Sequence, residues 1–169
     1  MAVVVFLRGM NLGKRRITNE ELIAVFTDAG HHEVSAYQAS GNVILGADET
    51  ADAARISHVL ATSLGYEVPV FVRTVNELDV IASTSPVKGM VGAEGGKPQV
   101  VFLGQESDVD LPTVFPDGHV VHLIGMELHW LPPTGLNELG HLQKQMDIAF
   151  GPTTTRTLGT VERLANRLS

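Results

Sequence analysis

A chain of 169 residues with 44% hydrophobic and 18% charged side chains has room for one domain or two halves of about 85 residues, and is too apolar for extended disorder. Its lack of cysteine excludes disulfide frameworks, thiol nucleophiles, iron–sulfur clusters and thiolate-bound zinc, and fits a cytoplasmic location. The net charge of −7 argues against a general nucleic-acid coat, and no apolar run reaches the ~20 residues of a membrane span or has the flanks of a signal peptide.

The elements of the first half follow in order. Val3-Val4-Val5-Phe6-Leu7 is a continuous apolar run, short enough for a buried central strand. Thr18-Asn19-Glu20-Glu21 is a capping box: Thr18 accepts from an early helical N–H while Glu21 reaches back. Leu22, Phe26 and Ala29 keep helical spacing until Gly30 stops the helix. Val34 to Ala39 and Asn42 to Leu45 read as two strands around the Ser40-Gly41 hairpin signal. A second helix sets Ala53, Ile56, Leu60 and Leu64 on one face and ends at Gly65. Val68 to Val72 form the next strand, with Pro69 marking a sheet edge. The order β-α-β-β-α-β is the split βαβ, or ferredoxin-like, motif. A second capping box, Thr74 to Glu77, opens a short helix that Pro86 terminates.

Residues 87–98 hold Gly89, Gly92, Gly95 and Gly96 with almost no apolar periodicity, and read as a linker between a unit over 1–86 and another over 99–169. The second unit opens with Gln99 to Leu103, whose Val-Val-Phe-Leu repeats residues 4–7 at the start of its half, as a duplicated fold would. His119 to Ile124 and Glu127 to Leu131 form a hairpin on Gly125-Met126. A helix with Leu139, Leu142, Met146 and Ala149 stops at Gly151-Pro152. After Thr153-Thr154-Thr155-Arg156, a terminal helix carries Val161, Leu164, Ala165 and Leu168. The expected class is α+β: two ferredoxin-like units, the second diverged, each an antiparallel sheet with helices packed on one face.

Charge singles out one segment. Residues 1–46 carry four basic and four acidic groups, so the whole excess of negative charge lies beyond them. All four cations (Arg8, Lys14, Arg15, Arg16) fall in the loop Arg8 to Arg16, which also holds Gly9, Asn11 and Gly13. Glycines let backbone N–H groups approach an anion, and a following helix N-terminus adds partial positive charge. The spacing is one residue short of a P-loop, and Arg15 stands where that loop has a metal-binding hydroxyl. The alternative is a solvated connection. In the expected topology strands one and two run the same way, so the Ser40-Gly41-Asn42 turn falls near Arg8 and Gly9. Ser40 and Asn42 then either add donors to the site or only close the turn. Arg156 is a further anion donor, or a surface arginine flanking a helix.

If the hairpin turns on Gly125-Met126, His122 lies directly across from His129. Two imidazoles without a third ligand make a poor metal site, so neither a metal nor any other cofactor is expected. No nucleophile-plus-base signature is present, and no catalytic residue is assigned. The leading functional reading is a module for a small anionic ligand, a phosphate or carboxylate. An enzyme with a site at the cleft between the halves is the alternative, with His122 or His129 as its acid or base. Nucleic-acid binding ranks last, because Phe6 and Phe102 lie in runs that look buried. No membrane partner is expected, and the oligomeric state is open.

The motifs Leu7-Arg8-Gly9-Met10-Asn11-Leu12-Gly13, Ser40-Gly41-Asn42-Val43 and Val68 to Thr74 resemble the bacterial family called domain of unknown function 1697. The resemblance implies a two-part arrangement of ferredoxin-like units and no established activity. The second half departs from the family pattern. Gly135-Leu136-Asn137-Glu138-Leu139 stands where the family tends to have Gly-x-Ser-Lys-Leu, which reverses a charge at Glu138. Arg156 matches, but Thr157-Leu158-Gly159 replaces an Asn-Trp-Asn.

Overall fold

A computed structural model describes residues 1–9, 16–38, 41–46 and 51–168. The chain is α+β, with two four-stranded antiparallel sheets. It divides into two compact units, Met1–Glu77 plus Leu168, and Leu78–Arg167.

The first unit contains β1 (Val3–Leu7), α1 (Asn19–Asp28), β2 (Ser35–Ala36), β3 (Asn42–Leu45), α2 (Ala53–Leu64) and β4 (Val70–Thr74), with strand order β2-β3-β1-β4. Leu22 and Phe26 of α1 and Ile56 and Leu60 of α2 pack against Val3, Val5, Leu7, Val43 and Leu45. On the other face Val4, Phe6 and Ile44 are buried too, which is why β1 reads as an unbroken apolar run instead of an alternating one. The capping box forms as expected: Thr18 Oγ1 accepts from Glu21 N–H at 3.1 Å and the Glu21 carboxylate from Thr18 N–H at 2.8 Å. β4 is an edge strand, but begins two residues later than the apolar run suggests. Val68 instead enters the core, where its carbonyl accepts from Ser57 Oγ, and Pro69 has no N–H to pair. β2 is shorter than expected, because Glu33 and Gln38, at φ 53° and 57°, bend the chain on either side of it.

The second unit takes up Leu78–Thr84 of α3 (Val75–Thr84), then β5 (Gln99–Leu103), β6 (Val120–Ile124), β7 (Glu127–Leu131), α4 (Gly140–Phe150), β8 (Thr153–Thr157) and most of α5 (Leu158–Leu168). Its order, β6-β7-β5-β8, repeats that of the first sheet. The first crossover helix is reduced to a 3₁₀ turn, Leu111–Thr113, and Val114 and Phe115 fill the core against Trp130, Leu142 and Met146. Thr153–Thr157 is a strand, not the connection that the sequence suggests; its β-branched threonines suit a ladder but carry no apolar signal.

The duplication extends into side-chain detail. Val4 lies opposite Arg73, and Val100, its counterpart in the repeated motif, lies opposite Arg156. Arg73 Nη1 donates to Val72 O and Arg156 Nη1 to Thr155 O, each at 2.9 Å. The glycine-rich stretch is docked within the second unit. Gly92 N–H donates to Gly96 O at 2.7 Å, and Glu94 and Gly96 N–H both donate to Pro133 O.

Candidate functional site

The end of β1 lies between two other segments. Leu7 N–H donates to Gly41 O at 2.8 Å, and Arg8 N–H to Pro69 O at 3.2 Å. The register sets Asn42 opposite Phe6, so the hairpin turn and the start of the cationic loop share one rim of the sheet. Gly9 and Gly41 have φ of 74° and 73°, the left-handed region in which a β-carbon is costly. Arg8 and Gly9 are half-exposed there. Asn11, Gly13, Lys14 and Ser40 lie outside the described residues.

Asn42 serves the turn. It is buried, its Nδ2 donates to Tyr37 O at 3.1 Å, and its carbonyl accepts from Tyr37 N–H at 2.9 Å. The N-terminus of α1 carries its own acceptors. Its capping box already occupies early donors, and Glu20 and Glu21 place two carboxylates in its first turn. Because β4 begins opposite Leu7, α1 starts and α2 ends at this same end of the sheet. A groove of about 510 Å³ opens there, lined by Arg16, Ile17, Glu21, Ser63, Leu64 and Tyr66 among others. Spacing along the sequence carried no signal for it.

Arg156 sits on β8 in the second unit, whereas Arg8 belongs to the first. It is a half-buried strand residue two positions before α5. Burial lowers its pKa to about 10, so it remains cationic at neutral pH. Its Nη1 donates to Thr154 Oγ1 at 2.7 Å and to Thr155 O.

His122 pairs with His129 across the hairpin, as the turn position requires. No group of three His, Cys, Asp or Glu side chains among the described residues is arranged to hold a metal. His129 is buried, and Ser85 Oγ lies 2.8 Å from its Nδ1, a contact spanning 44 residues that no local motif announces. Ser85 follows the C-terminus of α3, so the pair fastens the end of α3 to β7. Trp130 Nε1–H donates to His119 Nδ1 at 3.0 Å, which fixes the His119 proton on Nε2.

Burial, and secondarily a neighbouring histidine, lowers the pKa of both His119 and His129 below the usual 6.5. The unfolded chain therefore binds more protons as pH falls below about 6.5, and the native state loses stability. The urea midpoint is expected to be lower at pH 5.5 than at pH 8, with the difference reduced in His129→Gln; equal midpoints contradict the assignment.

The family described as "Protein of unknown function (DUF1697)" matches residues 1–114, and the chain belongs to it. The match ends at the 3₁₀ turn, before the segments in which the second half departs from the family pattern. Among solved structures, the conserved bacterial protein SP0830 from Streptococcus pneumoniae is similar at 18% identity and a TM-score of 0.70, covering 99% of this chain and 97% of that one. That likeness concerns the fold. No curated protein matches.

Proposed function

We propose that this member of the DUF1697 family is a binding module for a small phosphate- or carboxylate-bearing ligand, seated at the rim where β1 ends. The observation that supports it most is the Leu7–Gly41 hydrogen bond. It brings together two glycine-containing segments, both in the left-handed region, at the start of the chain's one cluster of cations. Arg8 supplies a forked donor, Gly9 and Gly13 permit close backbone approach, and Asn11, Lys14 and Ser40 complete the donor set. Asn42 holds the turn that presents Gly41. Arg156 is not part of this set, since its Nη1 is engaged within its own strand. Phe6 and Phe102 are fully buried, so the central-strand aromatics that would stack on bases are not on offer.

A cytoplasmic location accompanies this reading and rests on the cysteine-free composition. No described helix is long and apolar enough to cross a membrane. The test is calorimetric titration with inorganic phosphate, nucleotides and sugar phosphates. The Arg8→Ala and Lys14→Ala variants are each expected to weaken binding about tenfold, and added salt to weaken it further. Binding that neither variant nor salt alters would overturn the proposal.

A further inference from the structure

Three of the four sheet edges are guarded against pairing with another strand. β2 is two residues long, β4 follows Pro69 and carries Arg73, and β8 follows Pro152 and carries Arg156. β6 is different. Its sequence Val-Val-His-Leu-Ile contains no charge and no proline, and its register with β7 runs unbroken over five pairs. His122 and Ile124 are exposed, Ile124 to 49%.

The hairpin geometry fixes which backbone groups β6 offers. Ile124 and Glu127 flank the two-residue Gly125-Met126 turn, so they form a hydrogen-bonded pair. Met126 O accepts from Leu103 N–H, as the alternation demands: Met126 faces β5, and Glu127 faces β6. Carried along the strand, the alternation turns Val120, His122 and Ile124 toward β7. It turns the N–H and C=O of Val121 and Leu123 outward. Among the described residues no third strand and no loop bonds them.

We propose that β6 pairs antiparallel with β6 of a second copy of this chain, about a two-fold axis through His122. In that register Val121 faces Leu123 of the second copy as a hydrogen-bonded pair on either side of the axis, giving about four ladder bonds. Val120 faces Ile124, apolar against apolar, and His122 faces its own counterpart. The strand is apolar on both sides of His122, so reversing its direction leaves the complementarity intact. That property favours a copy of itself over a foreign strand, and β6 has no charge with which to select another partner. The two sheets then join into one, and the unguarded edge is buried.

Sedimentation equilibrium of the full chain tests this. A monomer–dimer equilibrium is expected. It should be weakened at least tenfold by Ile124→Lys, which places a cation at an exposed position opposite Val120. Val121→Pro, which removes an outward donor but no bond to β7, should have the same effect. Circular dichroism should show Ile124→Lys folded as the parent is, so a dimer lost in that variant is lost at the interface even if Val121→Pro folds poorly. A chain that stays monomeric at every concentration, or a dimer that Ile124→Lys leaves intact, overturns the proposal.

Discussion

Gly96→Ala is expected to destabilise the second unit by about 3 kcal/mol, against about 1 kcal/mol for Gly95→Ala one residue earlier. The contrast follows from what each added carbon meets. At Gly96 it would overlap the Pro132 carbonyl and press on Thr134 O, all of it backbone. That backbone is held in place, since Pro133 O accepts from Glu94 N–H at 2.8 Å and from Gly96 N–H at 3.2 Å. No side chain is there to rotate away, so a ladder-like set of hydrogen bonds must shift. Gly95, with φ of 88°, has open space around its missing carbon, so alanine there suffers only the left-handed backbone. Urea unfolding of both variants measures the difference; equal losses would mean that the stretch is not docked against Pro132 and Pro133.

Trp130→Ala is expected to cost ~3–5 kcal/mol, and Trp130→Phe far less. Trp130 is among the largest buried side chains and packs with Phe115, Leu142 and Met146 where a ferredoxin-like unit would have its first crossover helix. With that helix reduced to a 3₁₀ turn, the indole fills volume that a crossover helix would otherwise occupy. Phenylalanine keeps most of the volume and loses the N–H donated to His119, worth about 1 kcal/mol. It also frees Nδ1 of His119 to take a proton, so the acid sensitivity of the Phe variant should decrease along with its stability. If alanine and phenylalanine cost the same, the hydrogen bond and not the packing carries this corner of the core.

Strands and helices with a strong apolar pattern are legible in the sequence. β1, β5, the β6–β7 hairpin and both capping boxes stand where the residues place them. β8 was missed because five residues reading Thr-Thr-Thr-Arg-Thr have the branching of a strand and none of its hydrophobicity. The repeat Val-Val-Phe-Leu pointed to duplication. What sequence could not supply was the register that makes Arg73 and Arg156 equivalent, since the Arg-Thr pair they share is too short to align two otherwise different strands. The glycines at 92 and 96 signalled a loop, but glycine marks close backbone approach as readily as freedom, and the partner that decides, Pro132, lies 36 residues from Gly96.

The rim was partly legible. Strand direction and the usual strand order of the motif bring Asn42 beside the end of β1, and the register agrees. The Thr18–Glu21 box at the start of α1 was legible in the chain, and it occupies two early donors, the N–H groups of Thr18 and Glu21. The Ser85–His129 contact joins a helix end to a strand far along the chain, and residue spacing offers no hint of it.

The claim that an anion is held at the end of β1 is tested most directly by following backbone amide resonances while inorganic phosphate is added. The largest shifts are predicted at Arg8, Gly9 and Gly41, with the β5–β8 sheet unmoved, and Arg8→Ala should need about tenfold more phosphate for the same response. Shifts centred on Val100, His129 and Arg156, or none at the rim when phosphate is in large excess, would contradict it.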